Sequence, residues 1–202
     1  MPGYRTNNML NRINRISILL ILILLFTSTG CKKSKHYTVD DLPMLLSMAR
    51  AEDKVTRFQG LAGIGQLGPE AKETVPFLIE TLNDRDWMIR SLATFALGEM
   101  GPEAMPAAPK LLELLSKADD ELLSLAIAIR KIHPDPVATV PLLIKGLDTD
   151  QPNARYRLIQ ALASYGPDAA SALGPLVEIA NNDKDETIRK EARKAIEMIN
   201  KG

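Results

Sequence analysis

From Asp86 to Gly101 the chain reads DWMIRSLATFALGEMG. Ala93, Ala96, Leu97 and Met100 stand three, six, seven and ten residues after Arg90. That spacing puts them on one face of a helix. Asp86 is placed to N-cap the helix by accepting from a free N–H of its first turn. Gly101 is placed to end it in the left-handed conformation, and Pro102 forbids continuation. The pattern recurs along the chain. Arg57 stands eleven residues before Gly68, Arg155 eleven before Gly166, and Arg189 eleven before Asn200. Asn is the next-best residue after Gly at a left-handed stop. A second mark lies upstream: Pro43, Pro76, Pro109, Pro141 and Pro175 are separated by 33, 33, 32 and 34 residues.

Each unit reads as helix A, a turn and helix B. In the second unit helix A is expected over about 70–83, with Val75, Leu78, Ile79 and Leu82 as its apolar stripe. Pro76 inside that stretch either kinks the helix or marks its true first turn. The other A stripes are Leu45 with Leu46; Leu111, Leu112, Leu114 and Leu115; Leu142, Leu143 and Leu147; and Leu176, Val177 and Ile179. In the B helices, Gly63, Ala96, Ala128, Ala161 and Ala195 form a column of small residues, followed by Ile64, Leu97, Ile129, Leu162 and Ile196. This column is the expected core, with Ser91 turned outward. Asp86/Arg90 and Asp185/Arg189, each four apart at the start of a B helix, suit pairing along the helix and hydrogen bonds between repeats. A period near 33 residues with two helices per unit means a solenoid.

The unit PxLIxxLxDxDxxIRxxAxxALGxMGPEA at 76–104 resembles a HEAT repeat of the short bacterial type, similar to the repeats of phycobilisome-lyase-like proteins. The resemblance covers residues 39–202. It implies an all-α, right-handed α-solenoid of five helix pairs. The third unit departs from the pattern, with Leu122 where Arg is expected and His133 where Gly is expected. In repeats of this family the Asp and Arg residues form a structural ladder, here Asp86, Arg90, Arg155, Asp185 and Arg189. The B helices of such repeats line the concave surface, which is the usual binding face.

The first thirty residues read differently. Arg5, Arg12 and Arg15 give a basic start, Ile16 to Phe26 is almost unbroken apolar sequence, and Thr27 to Gly30 are small residues before Cys31, the only cysteine. This is the pattern of a secretory signal peptide. The run ending in Gly-Cys resembles a bacterial lipobox, with cleavage before Cys31 and diacylglycerol on its sulfur; Ser28 departs from the commoner Leu. An uncleaved membrane anchor is the other reading, although eleven apolar residues are short for a span of about 20. The expected organisation is a signal peptide over 1–30, a polar tether over 31–38 and the solenoid over 39–202. Removing three arginines from 25 Lys+Arg leaves 22 against 25 Asp+Glu, a formal charge of −3 for residues 31–202. That balance argues against nucleic acid as a partner, because phosphate neutralisation needs a basic surface.

The sequence carries little chemistry. His36 and His133 are the only histidines and neither has metal-ligand spacing. His133-Pro134 reads as a substitute for a Gly-Pro helix stop, since His adopts the left-handed conformation at modest cost. No nucleophile motif or phosphate loop is present, so no catalytic residue, metal or cofactor is expected. Positions one and five after the arginine offer another possibility. Phe58, Phe95, Leu123, Ile127, Tyr156 and Gln160 form a row that should be polar if it faced water, with Trp87 at its rim. Either neighbouring helices bury this row or it binds a partner. Lys190 and Lys194 in the fifth unit should end it in a basic edge. The expected function is non-catalytic protein–protein binding or scaffolding by a lipoprotein of the bacterial cell envelope, anchored by the lipid on Cys31. The alternative is a bilin-lyase-like or other ligand-handling repeat protein.

Overall fold

The computed structural model describes residues 36–117 and 121–201, so the expected signal peptide and Cys31 lie outside the described residues. Residues 38–202 form one compact unit. Within it α1 (Leu42–Ala49) and α2 (Lys54–Leu67) make the first helix pair, and α3 (Val75–Thr81) and α4 (Trp87–Met100) the second. The third pair is α5 (Ala108–Lys117) and α6 (Leu122–Ile132), the fourth α7 (Pro136–Gly146) and α8 (Pro152–Ser164), the fifth α9 (Leu173–Asn182) and α10 (Glu186–Asn200). The fold is an all-α repeat solenoid. Even-numbered B helices pack directly on one another along the stack, from α2 on α4 through to α8 on α10. Among the A helices, α5 and α7 meet directly, while α3 and α7 reach the following unit through its 3-10 segment. The B helices therefore form the more closely packed layer of the stack.

The helix boundaries follow local chemistry. Asp53, Asp86, Asp135 and Asp185 cap α2, α4, α7 and α10, each carboxylate accepting from an N–H of the first turn. Gly68, Gly101 and Gly166 have φ of 56°, 60° and 52°. Their role as stops stands, but Gly68 and Gly101 have ψ of −132° and −134°, outside the left-handed helical region. A side chain would disfavour that conformation, so only glycine turns the chain here without strain. It leads into 3-10 segments at Gly68–Thr74, Gly101–Ala107 and Gly166–Ala172. The helix expected over 70–83 is accordingly a 3-10 segment followed by the shorter α3, and Pro76 stands in the first turn of α3, where its missing N–H costs nothing. Pro141 differs: it lies inside α7, because the fourth unit has no 3-10 segment and α7 begins at Pro136.

His133 occupies the left-handed region, with φ 59° and ψ 60°. Its ring stacks on Tyr165 with centroids 4.3 Å apart, and the Tyr165 hydroxyl donates to the carbonyl of Pro134 at 3.0 Å. Burial pushes the Tyr165 hydroxyl pKa up. The neighbouring repeat thus holds the turn that glycine makes elsewhere. Asn200 is a correction. It remains the last residue of α10, and Lys201 follows with φ −83° and its N–H on Met198 O. No proline follows Asn200 to force the chain out of the helix, unlike the three glycines.

The small column Gly63, Ala96, Ala128, Ala161 and Ala195 is buried, as are Ile64, Leu97, Ile129 and Leu162; Ile196 of the last helix is half-buried. Val177 leaves its expected stripe and is exposed. Ser91, expected outside, is only 5% exposed. It lies two turns before Gly98, where an added Cβ would come 3.0 Å from the Cα of Ala128, so this face of α4 meets α6.

Candidate functional site

The arginines at the start of the B helices do not pair along their own helices. Arg57 reaches Asp84 in the next unit's turn. Arg90 bonds Glu121 through both Nε, at 2.8 Å, and Nη2, and its Nη1 donates to Asp84 O at 2.8 Å. Arg155 donates from Nη1 to Asp183 Oδ2 at 2.6 Å, from Nε to Leu147 O at 3.1 Å, and from Nη2 to Thr149 O. Arg189 bonds the Asp183 and Lys184 carbonyls at 2.7 and 3.3 Å. Asp86 caps Met88 and meets Lys54 of the preceding B helix at 2.5 Å, and Asp185 caps Thr187. Neither Asp86–Arg90 nor Asp185–Arg189 pairs along its helix: Arg90 and Asp86 make the inter-repeat bonds that were the other expectation, whereas Arg189 and Asp185 bond only within their own repeat. An N-cap carboxylate is already turned toward the first-turn N–H groups, whereas the extended guanidinium spans the gap to the next turn.

These contacts set the local electrostatics. Burial opposes the Asp84 carboxylate, but the Arg57 guanidinium and the Asp86 N–H outweigh it, so the Asp84 pKa is lowered. The Lys54 ammonium and the Met88 N–H likewise lower Asp86.

The row on the B helices is neither free nor core: Phe58, Trp87, Phe95, Leu123, Ile127, Tyr156 and Gln160 are all half-buried. The reason is the close packing of successive B helices. An added Cβ at Gly65 of α2 would lie 2.8 Å from the Phe95 ring of α4, so the ring rests on the bare backbone of the preceding repeat. The Arg157 guanidinium lies 5.6 Å from the Tyr156 centroid. Gln160 accepts from Arg157 at 2.9 Å and donates to Glu191 of α10 at 3.1 Å. Glu99 and Lys131 bridge α4 and α6 at 2.5 Å. Trp87 is the first residue of α4. The expected basic edge does not form: Lys190 pairs with Glu186 at 2.8 Å and Lys194 with Glu191 at 3.7 Å. The face thus alternates half-buried apolar side chains with paired polar ones. Among the described residues no group of His, Cys, Asp or Glu could hold a metal ion.

Sequence reasoning missed the acceptors Asp84, Glu121 and Asp183, and the bare contacts at Gly65 and Gly98. The first had a signal, an acid 27 to 31 residues after Arg57, Arg90 and Arg155. The second had a weaker one, since both glycines stand eight residues after the arginine.

Among solved structures the chain is similar to a computationally designed armadillo repeat protein for modular peptide recognition, at 17% identity and TM-score 0.63, covering 80% of this chain and 83% of that one. It is also similar to an engineered protein, at 19% identity and TM-score 0.60, covering 90% and 96%. At these identities the likeness is one of fold. No curated protein matches the sequence. The family model described as HEAT repeats matches residues 42–130 and 108–197, a span that takes in all five helix pairs, and the chain belongs to that family.

Proposed function

We propose that this chain is a non-catalytic scaffold that captures a protein partner on the concave face of its B helices, and that a lipid on Cys31 holds it at a bacterial membrane. The observation that carries the binding reading is the half-buried row. Neighbouring groups hold its rings, Phe95 against Gly65 and Tyr156 beside Arg157, so a partner would meet them already ordered. Large ordered apolar groups dominate interface energies because they bury much area at small entropic cost. Repeat solenoids typically serve as protein-binding scaffolds, and the designed armadillo protein is one made for peptide recognition.

Phe95 is too closely packed to serve as a probe of binding alone. The double change Leu123→Ser with Tyr156→Ser is the better test, after crosslinking in the native cell has identified the partner. It should weaken partner binding roughly tenfold or more, since each apolar group buried at an interface contributes about 1.5–3 kcal/mol. The melting temperature should fall by only a few degrees. Undiminished binding by the folded variant would move the site off this face.

The membrane part rests on the basic, apolar and small-residue succession that ends at Cys31. Cys31→Ser should lose the acyl mass and leave the membrane fraction. A variant that stays membrane-bound with the precursor mass of the unaltered protein would sink the lipobox reading.

A further inference from the structure

A groove of ≈ 400 Å³ opens between the fourth and fifth helix pairs, lined from α7, the turn after it, α8 and α9. Ile144 and Ile179 give it apolar walls, and Asp148 and Glu178 add two exposed carboxylates. Arg155 also lines it but does not neutralise them, since its guanidinium is taken by Asp183 and the carbonyls of Leu147 and Thr149. Among the described residues no cation lies within ion-pair distance of Asp148 or Glu178.

Two of the other three junctions carry a cation at this level of the stack; the second carries Asn83 and Glu113, and there Glu113 is paired with Lys110 and Lys117. Asp148 stands seven residues after Pro141, as Arg50 does after Pro43 and Ser116 after Pro109. Ile179 stands four after Pro175, as Lys145 does after Pro141. At the first junction the Arg50 guanidinium lies 5.0 Å from the centroid of Phe77 in the next A helix. At the third, the Lys145 ammonium donates to Ser116 O at 3.2 Å. In both, a cation on an aliphatic stem bridges one A helix to the next. At the fourth junction both cation positions are lost, to Asp148 and Ile179. Space is left open, and a carboxylate stands where Arg50 or Ser116 would be.

We propose that this groove takes a lysine or arginine side chain of a protein partner. Its stem lies against Ile144 and Ile179, and its charged head meets Asp148 and Glu178. Long basic side chains combine an apolar stem with a charged tip, the pairing these walls and carboxylates match. The inference rests on the partner-binding reading only for the source of the side chain, and its test needs no partner. The probe is Nα-acetyl-lysine N-methylamide, titrated into ¹⁵N-labelled protein, with the norleucine analogue as the uncharged control.

Saturable shifts confined to the residues of α7, α8 and α9 around the groove are expected. Binding should be roughly tenfold weaker for the norleucine analogue, and for the protein carrying Asp148→Asn with Glu178→Gln, because charge-assisted hydrogen bonds are lost. Ile179→Lys should fill the groove from within, as Lys145 does one junction earlier, and abolish the shifts in a protein whose spectrum elsewhere is unchanged. Shifts spread over all acidic residues, or undiminished in the folded double variant or in Ile179→Lys, would overturn the proposal. So would the absence of saturable binding to the unaltered protein. Either result leaves the B-helix face standing, since that face is tested separately at Leu123 and Tyr156.

Discussion

Gly60→Ala is expected to destabilise the fold by about 2–4 kcal/mol, although alanine is the better helix former by about 1 kcal/mol. A Cβ at Gly60 would lie 2.3 Å from Ala49 N, 2.7 Å from Leu45 O and 2.8 Å from Ala49 Cα. These are backbone atoms, so no side chain can rotate aside; α1 itself must move off α2. Overpacking of this kind costs more than the propensity gain returns. The control is Gly174→Ala, near the start of α9, where an added Cβ meets nothing within 4 Å beyond its neighbours in the chain. That change should be near neutral, because the gain in helix propensity is offset by the clash of a Cβ with the ring of the following Pro175 in the helical conformation. Urea denaturation reads both. A neutral Gly60→Ala would mean that the first helix pair does not approach as closely as described.

Arg155→Ala should cost about 3 kcal/mol, among the largest effects of any exchange of a partly exposed residue in this chain. The guanidinium holds three acceptors at once, and the Asp183 side chain is only 5% exposed. Removing one partner of such a pair leaves the other as an uncompensated buried charge, a loss of about 3–5 kcal/mol when both are fully buried. The Arg155 side chain is 24% exposed, so the lower end applies. Arg155→Lys should recover less than half of the loss, because an ammonium lacks the fork that spans two carbonyls and a carboxylate. In a double-mutant cycle with Asp183→Asn, the coupling should be about 1–3 kcal/mol. Additive effects would show that the pair contributes little to joining the fourth and fifth repeats.

The solenoid was legible because its punctuation is covalent and local: a proline or glycine acts through its own φ, whatever lies around it. The column Ala96, Leu97 and its equivalents was legible for a related reason, since helical spacing alone puts those residues on one side. For Arg90 the sequence offered a bond between repeats but not its acceptor, because Glu121 lies 31 residues away and comes close only when repeats stack. Ser91, expected outside, is buried for the same cause. One face of a B helix meets its own A helix and two others meet B helices of neighbouring repeats, and an outward position on an isolated helix becomes an inter-repeat position in the stack. The groove at Asp148 had no signal within one repeat, because residues of two successive helix pairs line it.

The arginine contacts have a direction. In each pair the cation lies upstream, and its acceptor carboxylate lies 27 to 31 residues downstream. A ribosome making about 5–20 residues per second would release each guanidinium about 1–6 s before its acceptor. The first, second and fourth repeats of the nascent chain are therefore each latched one repeat behind the growing end. The third repeat has no such latch to wait for: Leu122 stands at the arginine position and packs toward Gly146 of α7, 3.6 Å from where a Cβ there would sit.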